Sequence, residues 1–178
     1  MGIVSIYPAL AGIPDLLEVV DSNNKALLLM PQEQVLRQHL PHRRAMLIVC
    51  DRQGRIVLCR LHGQEQSWGF ALCPVPAGAS YEDTACGVLA SWGLPPLPLH
   101  SHGLWPPCAT NSYAFTACYR ANLHCPLPLA ASSPLAESML LDMDELRGIA
   151  SSLPQQLAPE VHWALTQKGL FSLPHERR

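Results

Sequence analysis

The chain has 178 residues, a formal net charge of −2, and a composition that is 48% hydrophobic and 15% charged. That length and composition suit one domain with a full core and exclude a disordered chain. The weak net charge gives no general attraction to nucleic acid or an anionic membrane, and no apolar run approaches membrane-spanning length.

Residues 1–14 read as an N-terminal arm, 15–172 as a single domain and 173–178 as a C-terminal tail. The arm is apolar but has no basic region, and Pro8 and Pro14 interrupt it, which argues against a signal peptide. The seven cysteines, Cys50, Cys59, Cys73, Cys86, Cys108, Cys118 and Cys125, are odd in number, and no two have CxxC spacing. They are expected to be free thiols in a reducing cytoplasm.

Leu16 to Val20 and Ala26 to Met30 read as a hairpin around Asp21-Ser22-Asn23-Asn24, and Pro31 opens a short helix over 32–38. Ala45 to Cys50 and Arg55 to Leu61 form a second hairpin, turned at Gly54. Both runs are almost continuously apolar, as strands covered on two faces are. A short apolar run from Trp68 then meets a Pro/Gly turn and a helix ending at Gly93. Ala85, Val88, Leu89 and Trp92 make one stripe at helical spacing, and Glu82 and Asp83 lie in the first turn. Residues 95–111 read as a proline-rich loop, followed by a strand from Tyr113 to Arg120, a second loop and a short strand from Met139 to Leu141. Asp142 with Glu145 makes a capping box for the next helix, and Pro159 opens a last one that Gly169 stops. This order predicts an α+β chain with a mixed sheet between helices.

The hairpin EVVDSNN, the segment RQHLPHRRAMLIVC, the Trp-bearing loop, the helix ending in Gly93-Leu94 and the tail around MDELRGI together resemble a Nudix hydrolase domain, in the branch similar to isopentenyl-diphosphate isomerase. The resemblance covers about residues 16–170 and implies an α/β/α sandwich. It also implies a helix whose glutamates bind Mg²⁺ or Mn²⁺ and thereby a diphosphate, because these cations take several hard oxygen ligands. Here that box is degenerate. Anchored on Gly93-Leu94, Ala90 and Ser91 replace the paired glutamates and Cys86-Gly87 replaces Arg-Glu. Anchored on Gly78, Ala79 takes the first glutamate position. The isomerase pattern is matched by Trp68, Cys73, Gly78, Ser80, Glu82 and Asp83, but Pro74-Val75 stand where its histidine belongs.

Several residues have two readings each. Cys73 is a buried thiol or a reactive one, and no cation near it in sequence lowers its pKa. His100, His102 and Cys108 form a metal cluster or a polar loop, with no fourth ligand apparent. His42, Arg43 and Arg44 bind a phosphate or lead into a strand, with Arg60 and His62 able to face the same cleft. Trp68 and Trp105 stand in loops, where they could wall a pocket, whereas Trp92 and Trp163 fall on apolar helix faces.

The expectation is a Nudix-like protein whose box has lost its chemistry, acting as a binding or regulatory module for a nucleotide or other phosphorylated small molecule. Ligand contacts are assigned to His42, Arg44, Arg60, Trp68 and Trp105. No nucleic acid or membrane partner is expected, a homodimer is possible, and no cofactor is expected. The alternatives are an active hydrolase, with Glu82, Asp83 or Cys73 catalytic and Mg²⁺ or Mn²⁺ held by Glu65, Glu82, Asp83 or Glu137, and a structural or oligomerisation domain without ligand.

Overall fold

A computed structural model describes residues 16–61, 67–124, 135–167 and 169–171. Strands β1 (Leu16–Val20) and β2 (Ala26–Pro31) form a two-stranded antiparallel sheet, followed by helix α1 (Gln32–Arg37). The main sheet has β3 (His42–Cys50) at its centre. On one side β3 runs parallel to β7 (Ala114–Asn122), which pairs antiparallel with β6 (Leu99–Trp105). On the other side β3 pairs antiparallel with β4 (Ile56–Leu61) at one end and with β5 (Ala71–Pro74) at the other. β8 (Leu135–Leu141) pairs with β4.

Side-chain alternation along β3 sets the layers. Leu47 and Val49 face helix α2 (Tyr81–Ser91), packing with Val88, Leu89 and Trp92, while Ala45 meets Ala85. Met46, Ile48 and Cys50 face α3 (Met143–Ser152) and α4 (Pro159–Thr166), packing with Leu146, Val161, Trp163 and Ala164. The result is the expected mixed sheet between helices. The stripe predicted for α2 is the buried one, and each of its larger members contributes about 2 kcal/mol of burial. Gly93, at φ +76°, ends the helix in the left-handed conformation, and Leu94 N–H bonds back to Leu89 O at 3.1 Å.

The proline-rich loop expected over 95–111 is corrected, since β6 lies inside it. Its prolines all fall outside 99–105, so the strand's N–H groups remain free to pair. Trp105, His100 and His102 are therefore strand residues. The strand expected at Met139 to Leu141 begins at Leu135. The arm, the tail, His62, Glu65 and Cys125 lie outside the described residues.

Candidate functional site

Helix α2 starts where Gly78, at φ +78°, turns the chain and Ser80 caps the first turn, its hydroxyl oxygen accepting from Asp83 N–H at 3.0 Å. The Ser80 hydroxyl donates to Asp83 Oδ2 at 2.6 Å. Glu82 and Asp83 are exposed there, and the outer face continues through Cys86, Gly87 and Ala90, also exposed. Ser91 turns its hydroxyl back to Val88 O at 2.7 Å. The outer face thus carries no carboxylate beyond its first turn. Among the described residues no three His, Cys, Asp or Glu side chains lie together as metal ligands. Glu137 is on β8, where it pairs with Arg60. These donors do not fit Mg²⁺ or Mn²⁺, which need a convergent set of hard oxygens.

Glu18 of β1 accepts from Gly78 N–H at 3.4 Å and forms an ion pair with Arg43. The Arg43 guanidinium also donates to Asn24 Oδ1 at 3.0 Å and to Asn24 O at 2.7 Å, and Asn24 Nδ2 donates to the Tyr81 hydroxyl at 3.1 Å. The EVVDSNN hairpin is clamped in this way to the first turn of α2. Sequence reasoning gave Glu18, Asn24 and Tyr81 no role and read Arg43 as a candidate phosphate binder, whereas here Arg43 is engaged by Glu18 and Asn24.

On the opposite face, register lines up three residues across the sheet: Trp105 opposes Thr116, and Thr116 opposes Arg44. Arg44 is buried, and its Nη1 lies 3.3 Å from Glu160 Oε1 on α4. Its Nε and Nη2 have no partner. Burial pushes the guanidinium pKa down, and Glu160 opposes that shift. His42, two residues earlier and 1% exposed, donates from Nδ1 to Leu40 O at 2.9 Å, and its Nε2 is unpartnered. Burial lowers the His42 pKa, the Leu40 carbonyl raises it, and Arg44 lowers it further. Trp105 stands edge-on to Trp163 of α4, with ring centroids 6.0 Å apart.

Arg60 and Trp68 make a second cluster. The Arg60 guanidinium sits 4.2 Å above the Trp68 ring, with Nη1 3.2 Å from Glu137 Oε2 and Nη2 3.3 Å from Gln156 Oε1. Trp68 is tied by its backbone to Gln156 O and Ala158 N, both at 2.8 Å. Arg60 and Trp68 therefore join β4 to the segment between α3 and α4. Cys73, 5% exposed, faces α2 among Ala71, Val88 and Leu89.

An open cavity of about 470 Å³ lies outside α4, lined by Thr110, Pro154, Leu157, Pro159, His162, Trp163 and Thr166. None of the five ligand residues chosen from sequence lines it. Trp163 is the link, since its ring also meets Trp105 edge-on. Glu160 and this cavity went unseen in the sequence. The available signal was Pro154 and Pro159 bracketing the start of a short helix.

No family model and no curated protein matches the sequence. Solved structures do match in three dimensions. Protein DR0079 from Deinococcus radiodurans is 15% identical, with a TM-score of 0.65 over 77% of this chain and 90% of that one. A MutT Nudix hydrolase from Burkholderia pseudomallei is 19% identical, with a TM-score of 0.53 over 72% and 98%. The Nudix domain of Shewanella oneidensis NrtR, solved with ADP-ribose, is 13% identical, with a TM-score of 0.51 over 76% and 95%. The chain has the Nudix fold. Within that fold, the outer face of α2 carries Glu82 and Asp83 in its first turn and then Cys86, Gly87 and Ala90.

Proposed function

We propose that this chain is a Nudix-superfamily protein with a degenerate box, acting as a cytoplasmic binding or regulatory module for a nucleotide or other phosphorylated small molecule. The observation that carries the reading is Arg44. A buried guanidinium with two nitrogens lacking any protein partner is costly unless something anionic completes it. Arg matches phosphate oxygens in geometry and stays charged. Trp105, in the same row across Thr116, and Trp163, which meets it edge-on, supply aromatic surface in that row. The likeness to an ADP-ribose-bound Nudix domain supports trying that ligand first. Self-association through β2 belongs to the same reading, since Leu27, Leu28 and Leu29 are 63%, 49% and 56% exposed on a strand that pairs only with β1 among the described residues.

Thermal unfolding with ADP-ribose, ADP and inorganic diphosphate tests the reading, because a ligand of the folded state must raise the midpoint. A rise with at least one of them, lost in Arg44→Met and partly kept in Arg44→Lys, is the expected outcome. Hydrolysis of the same compounds with Mg²⁺ or Mn²⁺ should be absent. Metal-dependent turnover that disappears in Glu82→Gln or Asp83→Asn would restore the hydrolase. No shift with any compound would leave a structural domain.

A further inference from the structure

The described arginines divide cleanly by partner. Of those not fully exposed, Arg43, Arg44, Arg55 and Arg60 each lie within 4 Å of a carboxylate, from Glu18, Glu160, Asp51 and Glu137 respectively. Arg120 of β7 is the exception. It is half-buried and pairs with no carboxylate among the described residues. Its Nε donates to the amide oxygen of Asn122 at 3.3 Å.

Arg120 lines a half-enclosed cavity of about 210 Å³, far along the sheet from Arg44 by register, whose walls are apolar at Ile48, Ile56, Met143, Leu170 and Phe171 and also include Gln53 and Gly54. Cys50 also reaches the cavity, where Arg120 hydrogen-bonds its side chain; burial raises the thiol pKa, Arg120 opposes that shift, and the thiol stays protonated and neutral. The acids on neighbouring segments are engaged elsewhere. Asp51 binds Arg55, Asp142 and Glu145 close their own capping box, and Asp144 pairs with Arg147. On β6, His100 opposes Arg120 in register. His102 is held below its ordinary pKa by burial first, then by Arg120 and His100, which places the three basic groups in one neighbourhood.

A guanidinium with no carboxylate partner among the described residues, at one end of a mostly apolar cavity, matches a molecule with one anionic group and a hydrocarbon body. At roughly 30 Å³ per water-sized group, the space takes about seven such groups. We propose that this cavity binds a straight-chain monocarboxylate of about six carbons, its carboxylate on Arg120 and its hydrocarbon among Ile48, Ile56, Met143, Leu170 and Phe171. The site is separate from the Arg44 row and stands whether or not that row binds a phosphorylated ligand.

Titration of the full chain with hexanoate, hexanol and hexylamine tests the assignment, read by the ¹³C-methyl NMR signal of Met143 and by the unfolding midpoint. Hexanoate should shift the Met143 signal saturably and raise the midpoint, while hexanol and hexylamine bind at least about tenfold more weakly. Arg120→Gln should abolish the preference for hexanoate over hexanol. Met143→Trp, which fills the cavity from its rim, should abolish the midpoint rise. Arg44→Met should leave hexanoate binding unchanged. The proposal is overturned by hexanol binding as tightly as hexanoate, by unchanged hexanoate affinity in Arg120→Gln, or by no saturable shift up to about 50 mM, beyond the range of a weak fragment.

Discussion

Arg44 holds a charge that water hardly reaches, with one carboxylate to balance it. Breaking such a pair from the acidic side strands the cation, which typically costs several kcal/mol, whereas an apolar replacement of the cation removes the desolvation problem. Glu160→Gln is therefore expected to lower unfolding stability by about 3 kcal/mol, and Arg44→Met by clearly less, as measured by urea unfolding. His42 sets a pH dependence beside it. Its folded-state pKa is lowered by burial, so the unfolded chain takes up the proton first. The stability this neutral imidazole contributes is complete above the unfolded pKa near 6.5. It is lost as pH falls from there through the lower folded value. Urea midpoints should fall as the solution is acidified through that window, and His42→Asn should flatten the fall. His102 shifts in the same direction, so the variant comparison isolates His42.

At the level of elements, periodicity decided what could be read in advance. The α2 stripe repeats at helical spacing, and all four residues, Ala85, Val88, Leu89 and Trp92, are buried. The β3–β4 hairpin was equally plain, because two apolar runs flank a glycine turn. Strand β6 was not, because prolines crowd both sides of LHSHGLW and mask a seven-residue window without any. A shift of the pairing between Ser101 and Gly103 also breaks its alternation. Strand β2 carries a different message, with three consecutive exposed leucines on a strand that pairs only with β1 among the described residues. Light scattering on the purified chain should give a dimer mass, and Leu28→Asp should return the monomer. A monomer mass for the unaltered chain removes self-association from the proposal.

For the molecule as a whole, the sandwich was legible because its layers follow from local patterns added in order. The arrangement of the candidate site was not, because it is built by register between distant segments. Nothing in the sequence shows that Arg44, Thr116 and Trp105 share a row, or that Glu160 descends on it from α4. Those neighbours come from the parallel pairing of β3 with β7 and from the helix laid over it. A long-range tie of another kind runs through Glu18, Arg43, Asn24 and Tyr81, where the small N-terminal sheet holds the start of α2. The two elements consequently share one opening event. In native-state hydrogen exchange, amides of β1 and those of the first turns of α2 should exchange with the same free energy and the same denaturant slope, as one unit. Arg43→Ala should separate them, releasing β1 at lower cost while the helix interior keeps its protection. The hairpin at the edge of the fold then sets when the first turn of α2 opens, and the packed stripe sets when the rest of the helix does.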